Sequence, residues 1–380
     1  MCKFINIYAN MIIKTITCHE VYNYGASLQA FALMKYLQGL GHDVEIIDYK
    51  PDYLTRRYNL WIINPKWNRN FLLKLIYYTF KIPGRFFRNR PRKIAFDRFT
   101  KKNLHLTEKT YRNNEELKAD TPSADIYLAG SDQIWNSMYP NGKDPAFYLD
   151  FTPENSIKAS YAASFSINYI EKGYEDRVKS WLKKLDYISV REETGLLILK
   201  SIGIKGVQVL DPVFLLSADE WDRMSNGPMI KEKYILIYDF DNNPTIECLA
   251  KFISQKKAYS IVSIKDFLQQ NYADKIIRNA SPVDFLGLIK NSEVFISNSF
   301  HGAAFSIIFN KEFYTFNRAY QKVNSRMVDL LTSLGLKSRL ISDTSYIDTS
   351  NRIDYSKVNS LLKDKIDFSK KFLNQVCNGK

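Results

Sequence analysis

The sequence predicts an α/β protein built from two Rossmann-like domains that face each other across a cleft. Three observations carry this expectation. The chain has 380 residues, and at roughly 150 residues per domain that length fits two. Short apolar runs of strand length alternate with segments of helical spacing, once over the first half and again over the second, as in parallel sheets joined by helical crossovers. Between the two series the chain turns polar from Ser217 to Lys233, and Asn226-Gly227-Pro228 is its strongest break. The boundaries read this way are 1–222, 223–345, and a helical tail, 346–380, placed to fold back over the first domain.

In the first series, Met11 to Thr17 is a β-rich apolar run, and Ala30, Leu33, Leu37 and Leu40 then recur at helical spacing. Gly41 stands where a left-handed cap ends a helix, and Val44 to Asp48 is the next strand, which completes a βαβ unit. The loop Cys18 to Gly25 lies at the carboxyl end of the first strand, where open α/β sheets bind ligands. It is no GxGxxG fingerprint, so no dinucleotide is implied; its plain alternative is a polar turn closed by Gly25. Asp125 to Ala129 reads as a strand that runs into Gly130-Ser131-Asp132-Gln133. Ile157 to Ala163 is a strand and Tyr174 to Leu185 a helix. Tyr187 to Val190 is a strand that delivers Arg191, Glu192 to Ser201 a helix, and Val207 to Leu210 a strand ending before Asp211-Pro212.

The second series places strands at Tyr234 to Tyr238, Tyr259 to Ser263, Val294 to Ser297 and Phe313 to Phe316. Helices are expected at Thr245 to Lys256, Pro282 to Lys290, after Gly302, from Ser325 to Leu334 with Gly335 as its stop, and from Tyr355 to Val376.

The net charge is +14, and its distribution says more than its size. Between Lys50 and Lys102 there are 15 Lys or Arg against Asp52 and Asp97, so 15 − 2 = +13 of the excess lies in one insertion, 50–102. Trp61, Trp67, Phe71, Leu72, Leu73, Leu75, Ile76, Tyr77, Tyr78, Phe80, Phe86 and Phe87 are interleaved with those cations. That mixture suits an anionic membrane surface. No nucleic-acid recognition motif accompanies it, so no nucleic-acid partner is expected. A basic helical insertion that packs on its own domain is the alternative. No apolar run reaches the roughly 20 residues of a membrane span, and Met1 to Lys14 lacks the order of a signal peptide. The expected location is therefore the cytoplasm, peripheral on the inner face of the membrane. Cys2, Cys18, Cys248 and Cys377 have no ligand-like spacing, which argues against a disulfide framework and a zinc site; no metal and no cofactor is expected.

The turn Ser297-Asn298-Ser299-Phe300-His301-Gly302 follows a strand and opens a helix. Backbone N–H groups and the positive helix end converge there, as in an anion site, and the chain places one of its 4 histidines in it. The alternative is an ordinary N-cap, Ser299, beside a satisfied histidine.

Several stretches together resemble the polysaccharide pyruvyl transferases: Asn23-Tyr24-Gly25-Ala26-Ser27-Leu28-Gln29-Ala30, Gly130-Ser131-Asp132-Gln133-Ile134-Trp135, Arg191-Glu192, Asp211-Pro212 and Ser299-Phe300-His301-Gly302. The resemblance runs from about Met11 to Leu340 with the basic insertion omitted. It implies a GT-B-like pair of domains. It also implies transfer of pyruvate from phosphoenolpyruvate to a sugar, as a ketal, during surface-polysaccharide assembly. Two departures stand out. Ser299 occupies a position where the family often has Arg, with Arg318, Arg326 and Lys311 as candidate replacements. The family's Arg-Asp pair is here Arg191-Glu192, with Gly195 in place of a following Ser.

On this reading Arg191, Ser297, Asn298, Ser299, His301, Gly302, Arg318 and Arg326 bind the donor, because phosphoenolpyruvate carries two anionic groups that need cations and N–H donors. His301 is the candidate acid and Asp132 the candidate base, the latter with loop capping as its alternative. Asn23, Tyr24, Gly25, Asp132 and Gln133 are assigned to the acceptor, a sugar carried on a lipid diphosphate. The competing functions are a nucleotide-sugar glycosyltransferase of the same architecture and a non-catalytic membrane scaffold.

Overall fold

The computed structural model of the chain describes residues 10–55, 69–265, 268–318, 325–341 and 349–379, with the backbone alone for 55 and 80–89. Trp61 and Trp67 lie outside the described residues, as do the side chains of Phe80, Phe86 and Phe87.

In the first domain the described elements are β1 (Ile12–Ile16), α1 (Tyr24–Gly39), β2 (Asp43–Tyr49), α2 (Asp52–Thr55), α3 (Phe71–Ile76), a π-helical turn (Tyr77–Lys81) and α4 (Ile82–Asn103). There follow β3 (Leu106–Tyr111), α5 (Asn114–Ala119), β4 (Ile126–Ala129), β5 (Ile157–Ser160), α6 (Glu175–Leu182), β6 (Ser189–Val190), α7 (Glu193–Ser201), β7 (Val207–Gln208) and α8 (Ala218–Met224). The second domain contains β8 (Tyr234–Tyr238), α9 (Pro244–Lys257), β9 (Ser260–Lys265), β10 (Lys275–Arg278), α10 (Pro282–Asn291), β11 (Val294–Ser297), α11 (Phe300–Ile308), β12 (Glu312–Phe316), α12 (Ser325–Ser333) and β13 (Leu340–Ile341), before the tail helix α13 (Tyr355–Asn378).

The strand order is β3-β2-β1-β4-β5 in the first sheet and β10-β9-β8-β11-β12-β13 in the second, with every pairing parallel. A short β6-β7 pair extends the first sheet through the bridges Ala159↔Tyr187 and Ala163↔Val190. The central strands β4 (IYLA) and β8 (YILIY) are buried at every residue, as strands covered by helices on both faces must be. Chain order reverses between β1 and β4 in one sheet and between β8 and β11 in the other. The loops leaving those four strands are where ligands bind in open α/β folds. The two Rossmann-like domains together form the GT-B-like arrangement.

Their interface is apolar and continuous with the core. Tyr24 at the start of α1 stacks on Phe285 of α10, centroids 4.4 Å apart and planes within 2°, and its hydroxyl donates to Ala280 O at 3.1 Å. Trp221 of α8 is fully buried against Phe305 of α11. The stretch read from sequence as a polar linker thus contains a helix with a Ser217/Glu220 capping box, driven into place by one tryptophan. Edge strands β3 and β10 were also not legible as periodic runs; LTEKTY and KIIR are too polar to announce themselves. The tail helix carries Val358, Leu362, Phe372, Leu373 and Val376 on its buried side and returns to the first domain, where Ser369 Oγ accepts from Leu210 N at 2.9 Å. No described helix is long and apolar enough to cross a membrane.

The basic insertion divides. Arg92, Phe96 and Phe99 of α4 are buried, with the Arg92 guanidinium 4.8 Å from the Tyr24 ring and 4.9 Å from that of Phe96. Phe71, Leu72, Leu75 and Ile76 of α3 remain exposed.

Helix α12 packs on α7 through Asp329, whose carboxylate accepts from Glu193 N at 2.8 Å. Burial, with Glu192 and Glu193 nearby, pushes the Asp329 carboxyl up to about 6 despite that hydrogen bond. A raised folded pKa means that the protonated form is favoured in the fold, so this contribution is complete below the unfolded value and is lost as pH rises through about 6. Asp329→Asn keeps the acceptor oxygen and removes the charge. The expected result is a higher Tm than wild type at neutral pH and a shallower dependence of Tm on pH between the two pKa values, read by thermal denaturation over a pH series.

Candidate active site

Strands β6 and β7 run side by side, with Val190 opposite Gln208, so the residues that leave their ends meet. Arg191 Nη1 lies 2.5 Å from Asp211 Oδ2, and both side chains are buried. The other oxygen of Asp211 accepts from Val213 N at 3.1 Å and so caps the turn that follows. Across the domain boundary, His301 Nε2 approaches Asp211 Oδ2 to 3.3 Å. Burial alone would raise the Asp211 carboxyl, but His301 and Arg191 outweigh it and hold the acid well below the usual carboxylate range. One carboxylate therefore anchors a cation from the first domain and the imidazole from the second.

The other face of that imidazole rests on Gly25: a Cβ built there would lie 1.9 Å from His301 Nδ1. Only glycine lets α1 approach so closely. Asn23 caps α1, accepting from Gly25 N at 3.0 Å.

At the turn itself, Ser297 donates to Tyr238 O and accepts from Ser299 N at 3.0 Å. The Asn298 amide donates to Asp239 at 2.8 Å and Asp241 at 3.3 Å, and its oxygen accepts from Phe240 N. Ser299 Oγ accepts from Gly302 N at 3.2 Å, as an N-cap does. A Cβ on Gly302 would press on the Phe295 ring at 2.6 Å. Among the described residues the amides of Phe300 and His301 have no hydrogen-bond partner, so they are the donors left for an anion.

A second guanidinium reaches the site from α12. Arg326 donates to the side-chain oxygen of Gln133 at 2.7 and 3.0 Å once that amide is oriented by its hydrogen bonds. Asp132 Oδ1 sits 3.4 Å from Arg191 Nη2 and 3.9 Å from Arg326 Nη1, and Asp132 is held at φ +70°, a costly left-handed conformation for a non-glycine residue. Both guanidiniums lie over one ring, Phe300, at 4.7 Å for Arg191 and 5.7 Å for Arg326. Burial and the neighbouring charge of Arg191 lower Arg326 to about 10. An anion beside the two arginines would relieve that repulsion.

These groups line a cleft of about 550 Å³. Of the residues singled out from sequence, Asn23, Asp132, Gln133, Asn298, Ser299, His301, Arg318 and Arg326 border it. Arg191 opens on an adjoining cavity of about 240 Å³ that shares Phe300 and Arg326. Tyr24, Gly25, Ser297 and Gly302 do not line the cleft; they build its walls through the contacts described above. Arg318 Nη2 lies 3.3 Å from Asp241 and its guanidinium covers Phe240 at 4.5 Å. Lys311 sits past the far end of α11 and does not reach the turn. Asp211 emerged from sequence only as half of an Asp-Pro pair, and Phe300 not at all as a platform; both depend on partners distant in the chain.

Among the described residues the one His/acid cluster with metal-like spacing is His19, Glu20 and Asp48. Lys50 Nζ lies 2.6 Å from Glu20 and 2.9 Å from Asp48, so a side-chain cation already neutralises it.

Fold and site together define a two-domain α/β protein with a cleft between its switch points that is bordered by Arg318, Arg326 and His301. A model of the family described as "Polysaccharide pyruvyl transferase" matches residues 23–320, and the chain belongs to that family. No curated protein matches it. Solved structures similar to it include the UDP-GlcNAc 2-epimerase of Methanocaldococcus jannaschii, at 13% identity over 94% of this chain and 92% of that one, with a TM-score of 0.45. A putative UDP-N-acetylglucosamine 2-epimerase of Listeria monocytogenes matches at 10% identity over 97% and 91%, TM-score 0.48. A glycosyltransferase of kitacinnamycin matches at 10% identity over 97% and 96%, TM-score 0.46.

Two substitutions test the geometry. Gly25→Ala is expected to force His301 out of its seat, with loss of activity and a folded protein by circular dichroism. Asp211→Asn strips Arg191 of its nearest carboxylate, leaving Asp132 at 3.4 Å and Glu192 at 3.9 Å, and is expected to cost roughly 1.5–3 kcal/mol in urea denaturation.

Proposed function

We propose that the protein transfers pyruvate from phosphoenolpyruvate to a sugar as a ketal. Family membership supports the reaction class, and one observation carries the donor: Arg191 and Arg326, from opposite domains, flank Phe300 beside His301. Phosphoenolpyruvate brings a carboxylate and a phosphate close together, which suits paired guanidiniums and the free amides at the start of α11.

The reaction balances as follows. The enol C3 takes up a proton, a sugar hydroxyl adds to C2, inorganic phosphate leaves, and a second hydroxyl closes the ketal. The two hydroxyl protons end on C3 and on phosphate. His301, anchored by Asp211, is the acid that protonates C3. Asp132 is the base toward the sugar hydroxyl and also the counter-ion that spaces the two arginines. Arg326 takes the role left by Ser299. Asn23 and Gln133 border the acceptor side, and a lipid-linked saccharide is the acceptor class.

The test is incubation with phosphoenolpyruvate and a lipid-linked, galactose-containing oligosaccharide, with inorganic phosphate and product mass as readouts. Phosphate release and a pyruvyl ketal are expected for the native protein. His301→Ala and Arg326→Gln should each reduce turnover about 100-fold or more, and Arg326→Gln should not lower the Tm, because it removes a repelled buried charge. Full turnover by His301→Ala would remove His301 from the mechanism. Consumption of a nucleotide-sugar instead of phosphoenolpyruvate would replace the donor.

A further inference from the structure

Helix α3 is amphipathic in the inverted sense. At about 100° per residue, Phe71, Leu75, Leu72 and Ile76 fall on one continuous arc of about 140°, and they are exposed by 79%, 49%, 66% and 38% respectively. Tyr77, on the opposite side, is 4% exposed. A contiguous apolar face turned outward is unusual on a soluble surface and marks a docking site. Arg69 and Lys74 adjoin it, in a stretch whose sequence holds 15 basic residues against 2 acidic ones. Charge and apolarity thus coincide on one element, which fits anionic headgroups above acyl chains. Nucleic acid would meet the cations but leave the aliphatic face uncovered.

The position of this face relative to the cleft follows from α4. The helix runs from it back into the core, where Arg92 donates to Tyr22 O at 2.9 Å and to the Tyr24 hydroxyl at 3.2 Å. The Tyr22 hydroxyl donates to Asp97 Oδ1 at 3.2 Å, one turn further along α4. Val21 and Asn23, on either side of Tyr22, border the cleft. The outward face and the cleft rim are therefore joined through the π-helical turn and α4, which holds Pro91 in its interior.

We propose that residues 69–78 dock the protein on an anionic lipid bilayer and that α4 links the cleft rim to that surface, where a lipid-borne acceptor arrives. Docking rests on exposure and charge alone; the reason for it rests on the function proposed above. The division of labour is that 69–78 touches lipid whereas Arg92, Phe96 and Phe99 stay in the core.

The experiment is co-sedimentation of the full chain with phosphatidylcholine vesicles and with vesicles containing about one third phosphatidylglycerol, at low salt and at about 0.5 M salt. Binding is expected on the anionic vesicles only, weakened by salt. Phe71→Ser/Leu72→Ser should reduce it about tenfold or more, and Arg69→Glu/Lys74→Glu by at least about fivefold for each charge lost. Both variants should keep the wild-type Tm, since the altered side chains face outward. Equal binding to neutral and anionic vesicles, or unchanged binding by both variants, would overturn the proposal. So would a dimer, seen by light scattering without lipid, that Phe71→Ser/Leu72→Ser dissociates, because the face would then be covered by a second copy. Vesicle binding that survives while no ketal forms would leave docking in place and sink the proposed reaction instead.

Discussion

The Asp211 carboxylate is the interaction on which the cleft depends. It is fully buried, shared between Arg191 of one domain and His301 of the other, and its remaining lone pairs hold the turn that follows. Taking a carboxylate out of water costs several kcal/mol unless charge and hydrogen bonds compensate. Here the compensation is drawn from both domains, so the charge is satisfied only when they are correctly apposed. The acid's deep depression records how strongly the two partners favour its ionised form. Domain packing and site assembly become one event.

Around that centre, two guanidiniums are interleaved with the carboxylates of Asp132, Asp211 and Glu192. Asp132 spaces two guanidiniums that would otherwise repel, Gln133 orients one of them, and Phe300 gives both a shared face. The cost is visible in Arg326, whose guanidinium is held less tightly protonated than usual, and in the left-handed backbone of Asp132. Buried charge and local strain thus coincide at one spot. Arg326 reaches this spot from α12, the helix that follows β12.

The interdomain surface also explains why the glycine and tyrosine of the first motif stand where they do. Tyr24 stacks on Phe285 across the boundary, and Gly25 leaves the gap that His301 fills. Residues read from sequence as acceptor contacts are thus the wall against which the histidine is set. The described part of the insertion is similarly divided: Arg92, Phe96 and Phe99 of α4 are buried, whereas Phe71, Leu72, Leu75 and Ile76 of α3 are exposed.

The sequence by itself determined the elements and their order. Apolar periodicity marks β1, β4, β8 and β11, glycines mark helix ends, and the serine- and glycine-bearing turns after those strands point to the switch points where the cleft lies. Those are local properties, written in runs of neighbouring residues. Polar edge strands such as β3, and α8 with its single buried tryptophan, have too weak a local signal to be read. Which charges meet was decided by tertiary structure alone. Arg191, Asp211, His301 and Arg326 leave the ends of different elements in two domains, and their distances depend on how two sheets and α12 pack. No local pattern encodes that geometry, because side-chain electrostatics act through space while periodicity reports only along the chain.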